Sequence, residues 1–251
     1  CLYRSHSFFE KSIVFLLFMW QNEVTYGALA LGFRPMTWTG ARKENISMDK
    51  MKVAVIGCGT IANSAHIPAY MKNEDVEIKY FCDIIPERAD AAVEKYGCGK
   101  AVVDYHDVLA DPEVEAVSVC TPNRMHSVIS IDALKAGKHV LCEKPAATIY
   151  DEAVAMQQAQ HETGKVLNIG VVNRFNNQVN RIREYIQEGR LGEIYHVYIS
   201  FRAHRSIPGL GGAFTTKEIS GGGVLIDWGV HYLDLSMSLP SLQKVSPDTV
   251  R

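Results

Sequence analysis

The stretch that most constrains this chain is "KVAVIGCGTIA", residues 52–62, in which an apolar run passes directly into a glycine-spaced turn. Val53 to Ile56 carry no polar residue, which fits a strand buried on both faces at the centre of a parallel sheet. Gly57, Gly59 and Ala62 follow the spacing G-x-G-x-x-A. Gly57 permits the tight turn, Gly59 lets the backbone approach a pyrophosphate, and Ala62 keeps the next helix close to the strand. Thr60 and Ile61 complete the loop and are assigned with it to cofactor binding. Alone, this spacing is a weak signal.

Its context strengthens it. A second apolar run, "VEIKYFCD", ends on Asp83, where a carboxylate can accept hydrogen bonds from adenosine ribose hydroxyls. Ile84 and Ile85 follow instead of a base, so a 2′-phosphate meets repulsion without compensation. NAD is therefore the preferred cofactor, with NADP possible. The plainer reading of Asp83 is a cap for a helix that begins at Pro86 and stops at Gly97. Alternation then continues through runs at 101–104, 115–122, 139–145 and 166–172, with helices expected near 106–110 and 125–136. Thr148 with Asp151 resembles a capping box opening a helix that ends at Gly164. This order predicts an α/β fold, a doubly wound parallel-sheet (Rossmann) dinucleotide-binding domain over residues 51–172.

Composition excludes some partners. With 47% hydrophobic residues, 22% charged and a net charge of −2, the 251-residue chain presents neither a nucleic-acid surface nor a polybasic membrane anchor. None of its six cysteines forms a CxxC pair, and Cys82, Cys120 and Cys142 each end an apolar run. They read as small core residues of a reducing, cytoplasmic compartment. Residues 1–50 do not share the pattern and are read as an extension outside the domains. "SIVFLLFMW" (12–20) is shorter than the ~20 apolar residues that span a bilayer. Arg4 and Lys11 before it and Ala28-Leu29-Ala30 after it resemble a signal peptide, although "QNEVTY" intervenes. The plainer reading is upstream sequence, with the natural start at Met48 or Met51.

Beyond residue 172 the style changes to that of a partial α+β substrate and oligomerisation domain, residues 173–251. "NNQVNRIREYIQEGRLG" (176–192) reads as an amphipathic helix with Val179, Ile182 and Ile186 on one face. In "YHVYISFRA", Tyr195, Val197, Ile199, Phe201 and Ala203 alternate with polar positions, as in a half-buried strand. The glycine-rich loop at 205–223 suits a segment folding over a substrate. In "GGGVLIDWGVHYLDL" (221–235), Asp227 and His231 share one helix face, where an imidazole can take an alcohol proton while the carboxylate steadies it. The plainer reading is a His and an Asp on the polar side of a surface helix. His231 and Asp234 also hint at a metal, but no third ligand stands at a convincing spacing, so none is expected. Finally, Pro145 in "GKHVLCEKP" (137–145) stops a strand with Glu143 and Lys144 at its carboxyl end, where such folds bind ligands.

Taken together and in order, G-x-G-x-x-A, "TPNRMH" (121–126), "AGKHVLCEKP" (136–145) and "GGGVLIDWGVHYLDL" resemble the Gfo/Idh/MocA oxidoreductases, the glucose-fructose oxidoreductase and inositol dehydrogenase family, from Met51 to Leu235. The resemblance implies that Lys144 contacts both nicotinamide ribose and a substrate hydroxyl. It implies that Asp227 and His231 supply substrate binding and the proton acceptor. Thr121, Pro122, Asn123, His126 and Glu143 are implied to line the cofactor site, and Asn173 and Arg174 to lie near the substrate. The implied activity is NAD(P)-dependent hydride transfer involving a secondary alcohol of a sugar or cyclitol. Two alternatives stay open: an NAD-dependent redox glycosidase and a non-catalytic dinucleotide-binding sensor. Such enzymes continue past the position of Arg251 to finish a large open sheet that also forms the subunit interface. By that comparison the chain is expected to be C-terminally truncated, its second domain an incomplete open sheet, and the full-length protein a homo-oligomer.

Overall fold

Six parallel strands make one sheet in the computed structural model, which describes residues 50–194, 196–200 and 216–238. The strands are β1 (Met51–Ile56), β2 (Val76–Cys82), β3 (Lys100–Val102), β4 (Ala116–Val119), β5 (His139–Cys142) and β6 (Leu167–Ile169), in the order β3-β2-β1-β4-β5-β6. The apolar run of β1 now has its reason. Val53 and Val55 pack into one core with Ile67 and Phe81, while Ala54 and Ile56 pack into a second core with Val108, Leu134 and Met156. Both faces are buried over Val53–Ile56, so none of these four positions is free to be polar, while Lys52 at the start of the strand reaches out to Glu113. Strand order reverses between β1 and β4, which opens a crevice at their carboxyl ends.

Helices cover both faces. A π-helical turn (Ala62–His66) leads into α1 (Ile67–Lys72), followed by α2 (Pro86–Tyr96), α3 (Tyr105–Ala110), α4 (His126–Lys135) and α5 (Tyr150–Thr163). Both stops read from the sequence hold: Gly97 and Gly164 end α2 and α5 at φ of +65° and +63°. The capping box closes one residue later than expected. Thr148 donates to Glu152 Oε2, not to Asp151, from both its N–H and its hydroxyl at 3.2 Å. Cys58, Cys82, Cys120 and Cys142 are buried and unpaired, and burial pushes the thiols of Cys58, Cys82 and Cys142 up to about 12, which leaves them inert.

One titration is built into the sheet. His139 opens β5, and its Nδ1 accepts the Val166 N–H at 3.0 Å, a bond only the neutral ring can make. Burial, and then the Lys165 charge, lower its pKa to about 4. The unfolded ring takes up a proton below about pH 6.5 that the folded ring refuses, so this stabilisation is complete above that value and fades as pH falls toward 4. Between pH 7 and 4.5 the native chain is expected to lose on the order of 1 kcal/mol more than His139→Asn, after allowance for the ring's partial exposure. Urea unfolding of both proteins at the two pH values measures the difference.

After β6, a 3₁₀ turn (Val172–Phe175) leads to α6 (Asn177–Gln187), shorter than the expected helix and capped by Asn176 Oδ1, which accepts from the N–H groups of Gln178 and Val179. The expected strand around 195–203 is not formed over 196–200, which are exposed and in no regular structure. An isolated strand has little stability of its own, and none of the described residues pairs with this one. What the structure shows beyond 172 is helical: α6, α7 (Lys217–Ser220) and α8 (Val230–Ser238), the last preceded by a π-helical turn (Leu225–Gly229). The readings placed on residues 1–49, on most of the loop at 205–215 and on the tail lie outside the described residues. No helix among the described residues is long and apolar enough to cross a membrane.

Candidate active site

The crevice holds a cavity of about 980 Å³. It is lined by Gly57, Gly59, Thr60 and Ile61, by Asp83, by Thr121, Pro122 and Asn123, and by Ile219, Ser220 and residues 222–229. Gly57 has φ +94°, and a Cβ there would stand 2.6 Å from the Cys120 carbonyl oxygen. Gly59 has nothing within 4 Å of where a Cβ would be, so open space lies over the loop. Asp83 is buried; its Oδ2 accepts the Cys58 N–H at 2.8 Å and its Oδ1 the Ile85 N–H at 2.9 Å. The second of these bonds reaches Ile85, the N-cap residue of α2, whose own side chain makes no cap bond. Each carboxylate oxygen keeps further acceptor capacity for a ribose hydroxyl. Thr121 Oγ1 is buried in this wall with no partner among the described residues, as a group awaiting a ligand would be.

Two residues implied to line the cofactor site stand behind the wall instead. His126 is buried, with Nδ1 2.6 Å from Pro145 O and Nε2 2.8 Å from Thr121 O, so it ties the two site loops together. Glu143 accepts from His66 Nε2 at 2.8 Å and from the Lys144 N–H at 3.2 Å. Burial pushes its carboxyl up, but the His66 bond and the nearby Lys144 charge more than offset that and hold it below the ordinary range. Asn123 does border the cavity, and its amide donates to Ser220 O at 2.8 Å, joining two parts of the lining.

Lys144 leaves the end of β5 through a cis Lys144–Pro145 peptide. Its Nζ donates to Asp227 Oδ1 at 2.7 Å and to Asp227 O at 2.8 Å, residues 83 apart in sequence. One turn beyond Asp227, His231 is 8% exposed and its Nδ1 has no partner among the described residues. The Trp228 ring lies 6.1 Å away. Burial, then the Lys144 charge, lower the pKa of His231 against the opposing pull of Glu143, Asp227 and Asp234. Its ring is thus neutral near pH 7, ready to accept a proton. Lys144, Asp227 and His231 therefore come together as expected.

Arg174 does not join them. It pairs with Asp234 through both guanidinium nitrogens, Nε at 2.7 Å, and so clamps the 172–175 turn to α8. Asn173 is half-buried in the same turn, which packs on α8. That pairing also occupies Asp234, and no group of side chains among the described residues is fit to hold a metal. Two residues escaped sequence reading. Arg88 borders the cavity near Asp83, brought back by the first turn of α2, whereas only the two residues after Asp83 had been considered. His66 gave no signal, since a lone His among apolar residues reads as core.

A doubly wound sheet whose glycine turn and strand-end acid border one crevice, with Asp227 of the same lining bonded to the strand-end Lys144, defines a dinucleotide-binding protein of the Rossmann type. Residues 51–171 match the family described as an oxidoreductase family with an NAD-binding Rossmann fold, and residues 179–244 match the GFO/IDH/MocA C-terminal domain. The chain belongs to the Gfo/Idh/MocA oxidoreductases. It is 37% identical over 207 residues to D-glucoside 3-dehydrogenase of Escherichia coli K12, covering 81% of this chain and 59% of that one. It is 32% identical over 146 residues to inositol 2-dehydrogenase of Salmonella typhimurium, covering 57% and 43%. Among solved structures, the WlbA dehydrogenase of Chromobacterium violaceum with NADH and UDP-GlcNAcA superimposes with a TM-score of 0.70 at 32% identity, over 78% of this chain and 56% of that one. The 3-ketoreductase KijD10 of Actinomadura kijaniata with NADP gives 0.69 at 29% identity, over 76% and 57%. The chain spans about half the length of the curated relatives it matches.

Proposed function

We propose that this chain carries the catalytic centre of an enzyme that moves hydride between a nicotinamide cofactor and a secondary alcohol of a sugar or cyclitol. The observation that carries this is the Lys144–Asp227 pair at 2.7 Å, with the neutral His231 one turn on, beside the crevice. The relatives named for glucoside and inositol dehydrogenation support the substrate class. In this reading residues 51–172 hold the cofactor and residues 173–251 the substrate, in a cytoplasmic homo-oligomer.

The roles follow from chemistry. Gly57 and Gly59 leave room for a pyrophosphate, Asp83 accepts ribose hydroxyls, and Thr121 Oγ1 offers a free polar contact. When bound, the nicotinamide supplies the site that accepts or returns hydride. Lys144 places a positive charge beside the carbinol oxygen and lowers the cost of negative charge there. His231 takes the hydroxyl proton, and Asp227 aims the lysine. Because burial lowers the His231 pKa, the oxidation rate is expected to hold through pH 7 and fall only below about 6.5, as the ring becomes charged.

Asp83 opposes a 2′-phosphate, and Arg88 at the same cavity offers partial compensation. NAD is expected to bind about tenfold more tightly than NADP, and Asp83→Ser to erase most of that difference, since a hydrogen bond to a charged group is worth roughly 1.5–3 kcal/mol. Fluorescence titration with the two reduced cofactors tests it. The activity itself is tested with a panel of inositols, aldoses and sugar acids, following absorbance of reduced cofactor. Net formation of NADH is expected. Cleavage of a glycoside without net NADH would move the assignment to a redox glycosidase, and cofactor binding with no turnover to a sensor.

A further inference from the structure

We propose that His66 is a positioning residue for the catalytic centre, acting through Glu143. The proposal rests on the reading above for what Lys144 and His231 do, but its geometry is independent of substrate.

His66 is fully buried, yet both ring nitrogens have partners: Nε2 lies 2.8 Å from Glu143 Oε1 and Nδ1 lies 3.2 Å from Ser118 Oγ, which in turn is 2.5 Å from Tyr70 OH. The Glu143 carboxylate only accepts, so His66 Nε2 carries a proton and donates to it. The Ser118 and Tyr70 hydroxyls continue the row from Nδ1, each able to donate or accept, and such rows polarise one another in a buried setting. The row starts on α1, crosses the middle of β4 and ends after β5, so one chain of bonds joins the helix behind the cofactor loop to the segment carrying Lys144.

Glu143 is held from two further sides. Its Oε2 accepts the Lys144 N–H at 3.2 Å, and the backbone after β6 lies against it, where a Cβ on Gly170 would stand 3.2 Å from Oε1. The carboxylate therefore sits behind the lysine and outside the cavity wall. A buried charged group of this kind is poor evidence for stability, since apolar residues of equal volume often serve as well. What it does supply is a negative charge at a set distance from the working groups. The charged groups facing His231 are Lys144, Glu143, Asp227 and Asp234, of which Lys144 alone is positive. Glu143 is the one among them that a bond from His66 holds.

The test follows the ring signal of His231 by proton–carbon NMR against pH in the full 251-residue chain. His231→Asn identifies the signal. Glu143→Gln is expected to lower the His231 midpoint, because the nearby carboxylate favours the charged ring, by roughly one pH unit. His66→Leu is expected to move it the same way, and His66→Gln, whose amide can again donate to Glu143, to keep it near the native value. An unchanged midpoint in Glu143→Gln, or in a His66→Leu protein with native near-ultraviolet dichroism, overturns the proposal. So does a shift in His66→Gln as large as that in Glu143→Gln. If His66→Leu does not fold, the other two variants decide. No substrate or cofactor is needed, so failure here and failure of the dehydrogenase reading are separate results.

Discussion

Lys144→Met is expected to lower turnover by roughly a thousandfold or more while leaving NAD binding nearly intact, in line with the 10²–10⁴ typical of losing one positioned charge or proton-transfer group. Methionine keeps the length and the apolar stem but removes the ammonium that contacts Asp227 Oδ1 at 2.7 Å. The damage is then double. The carbinol oxygen loses its positive neighbour, and the Asp227 carboxylate, no longer neutralised, opposes negative charge at the same place. Cofactor affinity is spared because Gly57, Asp83 and Thr121, which border the cavity, do not bond to Lys144. Steady-state absorbance of NADH gives the first quantity and fluorescence titration the second. Unchanged turnover removes Lys144 from the chemistry; joint loss of turnover and binding makes it part of the cofactor site.

Gly57→Ala is expected to cost about 3 kcal/mol and to abolish dinucleotide binding. Two costs combine: a left-handed backbone for a residue with a side chain, about 1–2 kcal/mol, and overpacking, about 1–3 kcal/mol. The contacts leave no cheap escape, since the new Cβ would meet Cys120 O at 2.6 Å, Cys120 C at 2.7 Å and Thr121 N at 2.9 Å, all backbone atoms of the neighbouring loop. For a domain of this size the melting temperature should fall by about 6–12 °C. Gly59→Ala separates the two effects. Its Cβ meets nothing within 4 Å, so stability should change by less than about 1 kcal/mol, while affinity falls because the methyl group enters the space over the loop. Equal melting temperatures for the two variants would show that the β1 turn is not held against the loop after β4.

How much was legible depended on whether the signal was local. The turn at Gly57 and the stops at Gly97 and Gly164 each follow from one residue type at one backbone position and are found where read, whereas the strand expected to run to Pro145 already ends at Cys142. Strand ends and helical spacing place Asp83, Lys144, Asp227 and His231 with few alternatives, and the structure bonds Lys144 to Asp227. The strand expected at 195–203 is not formed over 196–200, because alternation names a face but cannot supply a neighbour, and none of the described residues pairs with these; 195 and 201–203 lie outside the described residues. Arg174 was read toward the substrate and is instead held by Asp234, 60 residues on. His126 and Glu143 were placed on the cavity wall and lie behind it, fastening the loops that form it.

By itself the sequence determined the parallel sheet and the glycine loop with its acid one strand away, since these depend on periodicity and backbone permission within a few residues. Only the tertiary structure decided the partners: Lys144 with Asp227, Arg174 with Asp234, and His66 with Glu143. The physical reason is that a side-chain hydrogen bond between residues brought together by strand order has an energy set by distance and burial, and neither leaves a trace in the residues on either side.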